Sequence, residues 1–242
     1  MRAVNRSGRS RVGTAVPRAA GLAVLLCLLP PHVLLVAAGP ARAYAQDATP
    51  RPGAAPDVDA ILARMARIPG LHCRFREEKR IALLSSPIVS EGTIDYARGT
   101  APRMARRTTR PSAQVVLIDQ GELRMSDGHS TTRIDLASQP VVRSFVDSFL
   151  SLLVGDRAAL ERTYTLSVEA VGEGGWALVL RPRAAPLSGF LRDIRFEGQG
   201  DALRRMVMTE VSGDVTTTSF SDVDASRRYA AADAARIFSL GL

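Results

Sequence analysis

From residue 71 to residue 96 the chain alternates. Leu71, Cys73 and Phe75 are separated by His72, Arg74 and Arg76, and Ile94 and Tyr96 stand beside Thr93 and Asp95. A period of two sends each apolar set to one face of an extended segment, so the pattern predicts two long antiparallel strands. Roughly nine residues at ~3.3 Å each give strands of about 30 Å. The connection between them, residues 81–89, is itself apolar (Ile81, Leu83, Leu84, Ile88, Val89) and punctuated by Ser and Pro. Loops ordinarily run through water, so an apolar one is expected either to pack over a cavity or to meet a partner.

The flanking segments change period. Upstream, Val58, Ile61, Leu62, Met65 and Ile68 follow helical spacing, with Asp57 as amino-terminal cap and Pro69-Gly70 as stop. Downstream, residues 103–110 are strand-like with arginines on both faces: either an edge strand guarded by charge, or a basic rim of Arg103, Arg106, Arg107 and Arg110 for anionic headgroups or an acidic partner. Residues 115–118, 123–125 and 131–136 read as short strands joined at Asp119-Gln120-Gly121 and Asp127-Gly128. Residues 139–154 are helical, from Pro140 to a stop at Gly155. Val142, Phe145, Val146, Phe149 and Leu153 share one face with Leu152 beside them, and Ser144, Asp147, Ser148 and Ser151 the other. That apolar face is either ordinary core or a lid over an apolar cavity. A short helix at 156–162 precedes strands marked by Tyr164-x-Leu166-x-Val168, by Trp176, Leu178 and Leu180, by Ile194 and Phe196, and by residues 203–211 and 215–220; a last short helix spans 230–238. About ten or eleven antiparallel strands with two substantial helices and no βαβ alternation make an α+β fold on one large, curved antiparallel sheet.

Charge alters this picture mainly through where it lies. The 242 residues carry 32 basic and 24 acidic side chains, a formal charge of +8. Arg2, Arg6, Arg9, Arg11, Arg18 and Arg42 all fall within residues 1–43, which hold no acid; beyond them the balance is 26 to 24, or +2. Polyanion binding thereby loses its support, and no nucleic-acid partner is expected. Residues 1–43 have the form of a cleaved secretory signal, with arginines, an apolar run and small-x-small sites that place cleavage after Ala43 or Ala45. Pro30-Pro31-His32 interrupts the run short of the ~20 residues of a membrane-spanning helix. Residues 44–56 are an Ala/Pro linker, and 57–242 one domain. Cys27 lies in the signal, so Cys73 is the domain's single cysteine and no intramolecular disulfide can form.

The domain offers little for catalysis. Its histidines are His72 and His129, with no C-x-x-C or H-x-x-x-H spacing for a metal and no G-x-S-x-G. His72 and Cys73 are adjacent, but neighbours on a strand point to opposite faces, which makes Cys73 an apolar wall residue rather than a base-activated nucleophile. Neither an enzyme nor a cofactor is expected.

One resemblance is carried by Phe75-x-Glu77, Ala82-Leu83-Leu84, Pro87-Ile88, Gly92-Thr93-Ile94-Asp95-Tyr96, Pro102-Arg103-Met104, Pro111 and Val116-Leu117-Ile118-Asp119. The series resembles the LolA-type outer-membrane lipoprotein carriers, and most of all their divergent LolA-related branch. It implies a periplasmic, non-catalytic protein of a Gram-negative bacterium, expected to be a monomer. Its sheet would form an incomplete β-barrel closed by helices and receive acyl chains of a lipoprotein or lipid. An inner-membrane transporter would supply the cargo and an outer-membrane acceptor take it. Carried onto this chain, the cavity wall would be Leu71, Cys73, Phe75, Ile94, Tyr96, Met104, Leu117, Trp176, Leu178, Ile194 and Phe196, and the helix bearing Phe145, Phe149 and Leu153 its cover. Two positions depart from the pattern. Ala101 stands where these carriers place the arginine that holds the lid shut, directly before the proline that here is Pro102, and Met104, Ala105, Arg106 and Arg107 stand where they place aromatics. The lid-holding group is thus unassigned, and a different lipid cargo is implied. The alternative is a periplasmic binding or sensor module on the same scaffold.

Overall fold

In the computed structural model of the protein, residues 57–200 and 202–241 are described; the expected signal segment, its cleavage sites, Cys27 and the linker lie outside them. The alternating stretch forms β1 (Gly70–Arg80) and β2 (Ile88–Ala97), paired from Gly70 opposite Ala97 to Lys79 opposite Ile88. They are followed by β3 (Arg103–Arg110), β4 (Gln114–Asp119), β5 (Glu122–Ser126) and β6 (Thr131–Asp135), then β7 (Tyr164–Val171), β8 (Gly175–Pro182), β9 (Leu191–Gln199), β10 (Ala202–Glu210) and β11 (Val215–Asp224). All eleven join one antiparallel sheet in the order β6-β5-β4-β3-β2-β1-β11-β10-β9-β8-β7. The strand that opens the domain is therefore its middle strand, with β2 on one side and β11 on the other. The sheet curves but does not close, an α+β incomplete barrel whose free edges are β6 and β7.

Among the described residues, three of the four α-helices pack together at the inner side of the sheet. α1 (Val58–Met65) precedes β1 and buries Ile61, Leu62 and Met65, the stripe its spacing predicts. After β6 the chain runs through α2 (Pro140–Val154) and α3 (Arg157–Thr163) into β7, so these two helices span from one free edge to the other. Pro140 opens α2, and Gly155 ends it at φ +76, its N–H bonded to the Leu152 carbonyl. A side chain at Gly155 would also meet the Leu62 carbonyl at 2.5 Å, so the stop sets how closely α2 approaches α1. α3 is capped by Asp156, which accepts from the Ala159 N–H at 2.9 Å. α4 (Ala231–Ile237) lies on the other face of the sheet, where Ala234 and Phe238 pack with Ala105, Val115 and Leu117.

Candidate functional site

Odd-numbered residues of β1 point to the face that α2 covers. Leu71, Cys73, Phe75, Ile94, Tyr96, Phe220 and Leu153 of α2 form one buried cluster, with Met104, Phe149, Leu150, Leu203 and Met206 packed against it. The Phe149 and Phe196 rings meet at 6.1 Å between centroids. Pairing places Trp176, Leu178 and Ile194 on the same face as Phe196, and all three are buried. Gly198 lies opposite Trp176, whose ring occupies the space a side chain at 198 would need. Phe145 is half-buried on α2. The structure thus places the wall residues expected from the sequence on one face of the sheet, part of it packed under α2, with one correction. Leu117 pairs with Ala105 and packs on the opposite face against α4; Val116 and Ile118 are its inward neighbours. Residues 115–118 are apolar throughout because both faces of β4 are covered, so alternation could not say which face was inner.

The same face changes character along β1. Beyond Phe75 the inward residues are Glu77 and Lys79, and both strands beside them contribute polar groups. Arg106 Nη2 donates to Glu77 Oε1 at 3.0 Å, Thr218 Oγ1 donates to Glu77 Oε2 at 3.0 Å, and Ser90 Oγ lies 3.5 Å from Glu77 Oε1. Lys79 Nζ pairs with Glu210 Oε1 at 3.2 Å. Burying charge costs several kcal/mol per ion unless it is paired and hydrogen-bonded; Glu77 is both, and Glu210 is ion-paired to Lys79 although its Oε1 accepts no hydrogen bond. Arg106 also stacks over the Phe75 ring, 4.2 Å from its centroid, where the apolar half gives way to the ionic one. Arg106 Nε and Thr216 Oγ1 are buried there without a hydrogen-bond partner.

The arginine-rich β3 is divided by its own period. Arg106 points inward. Arg103 lies on the outer face, 4.8 Å from the Phe238 ring, and Arg107 donates to the Ser239 carbonyl at 3.0 Å. Arg110 pairs with Glu91 at 2.5 Å in solvent. The four do not form the continuous rim expected from the sequence, since neighbours on a strand diverge.

A group that sequence reasoning missed joins sheet and cover. Arg98, the first residue after β2, donates from Nε to the Ile68 carbonyl at 2.7 Å and from Nη2 to the Met65 carbonyl at 3.0 Å and the Leu153 carbonyl at 2.6 Å. Met65 and Leu153 carry the last carbonyls of α1 and α2, where the negative ends of the helix dipoles lie, and Ile68 follows in the turn after α1. The available signal was weak: α2 has no basic residue in its last turn, and an arginine lies three residues upstream of the position the resemblance pointed to. On α2, Ser148 is buried rather than solvent-facing, its hydroxyl 2.7 Å from that of Tyr164.

Cys73 sits inside the apolar cluster. Burial, with Asp95 nearby, pushes its thiol up to about 12, so at neutral pH it is a protonated wall residue. His72 points the other way, Nδ1 2.8 Å from Asp95 Oδ1. Among the described residues no three His, Cys, Asp or Glu side chains are grouped to hold a metal, and no helix is long and apolar enough to cross a membrane. The apolar β1–β2 connection stands in solvent: Leu83 is 93% exposed and Leu84 49%. Ala82 N–H is tied to Asp214 of the β10–β11 turn at 3.0 Å, and Val211 of that turn to the Phe190 carbonyl at 2.9 Å. Phe190 and Val211 are exposed as well, so one end of the sheet carries four exposed apolar side chains.

Residues 50–240 match the family described as outer membrane lipoprotein carrier protein LolA-like. No curated protein matches the sequence. Among solved structures, the chain is similar to the Pseudomonas aeruginosa MucA/MucB complex (15% identity, TM-score 0.46, 74% of this chain and 62% of that one). It is similar also to a LolA superfamily protein from Nitrosomonas europaea (11%, 0.42, 75% and 97%) and to the lipoprotein LppX of Mycobacterium tuberculosis (10%, 0.37, 70% and 97%). The chain spans less than two thirds of the MucA/MucB chain it matches.

Proposed function

The chain belongs to the LolA-like outer membrane lipoprotein carrier family, and on that premise we propose that it is a non-catalytic, extracytoplasmic carrier of acyl chains. It takes the chains of a lipoprotein or lipid against the apolar half of its inner face and moves them between the inner and outer membranes. The supporting observation is the construction of the cover. α2 rests on the wall through Phe149 and Leu153, and its carboxyl end is held by the single side chain of Arg98.

Cargo and cover compete for one surface. An acyl chain contributes about 0.8 kcal/mol per buried CH₂, on the order of 10 kcal/mol for a long chain, but only after displacing the α2 side chains already there. The net gain is the difference between two apolar contacts, and such near-balance lets a carrier load and release. Arg98 serves as the latch that the resemblance left unassigned at Ala101. The charged half, beginning at Glu77 and Arg106, limits how deep an apolar chain can lie, so the cargo's polar part faces that end.

The test is to purify the protein from a bacterial host, extract it with organic solvent and identify acylated species by mass spectrometry. Stoichiometric acylated lipid is expected in wild type. Its loss is expected in Phe149→Asp, whose half-buried position leaves the fold intact by circular dichroism. An extract without lipid, from a protein that also takes none up, would contradict the reading. A binding or sensor module on the same scaffold is favoured by one observation, the exposed Leu83 and Leu84. A stable protein complex that survives Phe149→Asp with no lipid bound would select it.

A further inference from the structure

The outer face, away from the α2-covered wall, holds a pocket of about 500 Å³ lined by His72, Asp95, Arg107, Arg227, Arg236 and Ser239, among others. Its three guanidiniums come from three places in the chain: β3, the segment after β11, and α4. It exists because Phe238 and Ala234 fasten α4 to the sheet; without that packing Arg227 and Arg236 would be ordinary surface residues.

The charges are not balanced within the pocket. The one carboxylate is Asp95, and its Oδ1 is already met by His72 Nδ1 at 2.8 Å and by the Tyr229 hydroxyl at 3.0 Å. Arg107 spends one N–H on the Ser239 carbonyl. Arg236 reaches an acid only at the limit of bonding, Asp233 at 3.5 Å on its own helix. Arg227 lies 5.7 Å from the Tyr229 ring centroid. Burial chiefly, with a smaller push from the nearby Arg236, holds the Arg107 guanidinium below its ordinary value against the opposing pull of Asp95. Guanidiniums converging from several sides suit an anion with several acceptor oxygens, since each offers a planar fork of N–H donors.

We propose that this pocket binds a phosphate oxyanion, supplied either by an anionic phospholipid headgroup or by a free phosphate. The site goes beyond the carrier reading and does not depend on it, because cargo wall and pocket lie on opposite faces of the sheet. A headgroup held here would seat the outer face on a membrane while α2, on the other face, stayed free to move.

Two probes distinguish the sources. Inorganic phosphate is titrated into the purified protein and followed by NMR of the arginine side chains; vesicles of phosphatidylglycerol or of phosphatidylcholine are co-sedimented with it. Saturable, salt-sensitive binding is expected, falling at least about tenfold in Arg227→Gln/Arg236→Gln when two of three guanidiniums are removed. Both residues are exposed, so melting should be unchanged; Arg181→Gln, on β8, should bind as wild type. Phosphate binding without vesicle binding assigns a free phosphate, and phosphatidylglycerol binding that the double variant loses assigns the headgroup. If neither probe binds saturably, or the double variant binds as well as wild type, the proposal is wrong.

Discussion

On the proposed carrier reading, Cys73 and Arg98 report the opening of α2 from two sides. The thiol lies under Leu153 in the buried cluster, and its upward shift makes it slow to alkylate while the protein is closed. The shift also carries a sign. Both states keep the proton below the ordinary thiol value of 9.0, so the full contribution to stability is present there; above it the unfolded chain ionises first, and stability falls until the folded thiol titrates at about 12. In a Cys27→Ser background, which leaves Cys73 as the only thiol, iodoacetamide at pH 8 should modify the native protein slowly and the urea-unfolded protein at the rate of a free thiol. Denaturation midpoints should decline between pH 9 and 12 in a way that Cys73→Ala abolishes. Equal alkylation rates for native and unfolded protein would place the thiol elsewhere. The inward direction of Cys73 was readable from alternation alone. The role of Arg98 was not, since it depends on carbonyls from two helices that meet only when the chain folds.

At the scale of elements, alternation was informative where one face of a strand is buried and silent where both are. β1 and β2 were read correctly for that reason, and Leu117 was misplaced because α4 covers the outer side of β4. Ser148 was misplaced for a related reason: helical spacing assigns a face by polarity, whereas a buried serine is admitted when a partner, here Tyr164, accepts it. Removing the Ser148 hydroxyl leaves that of Tyr164 buried without its partner, whereas Ser148 keeps a second bond to the Ser144 carbonyl. Ser148→Ala should therefore lower unfolding free energy in urea by about 1–3 kcal/mol. The Ser148→Ala/Tyr164→Phe double variant should recover part of the loss; no recovery would mean that the two hydroxyls are not coupled. The arginines of β3 illustrate the same limit. A run of like residues on a strand reads as one surface, but the pleat separates Arg106 from Arg103 and Arg107.

For the whole molecule, the sequence supported the fold class and the helix–strand order, because a sheet of many amphipathic strands with few helices has few ways to bury its faces. What it did not disclose was the division of labour between faces. The inner face carries the apolar wall, the ionic boundary and α2 packed over them; the outer face carries α4, fastened mainly by Phe238, which contacts Tyr229 edge-on at 5.3 Å and lies beneath Arg103. Truncating that anchor, Phe238→Ala, should cost about 3–5 kcal/mol, measured by chemical denaturation, and should loosen the outer pocket while leaving acyl binding intact. Simultaneous loss of both functions would show that the faces are not independent. The proposed carriage depends above all on α2 being a cover that cargo displaces and Arg98 restrains. The most direct measurement is the association rate of a fluorescent diacylated lipopeptide with wild type and with Arg98→Ala, read by stopped-flow fluorescence. Saturable one-to-one binding is predicted for both, with Arg98→Ala associating faster because its helix ends have lost their common donor. Absence of saturable binding in both proteins would contradict the account, as would an unchanged rate in Arg98→Ala.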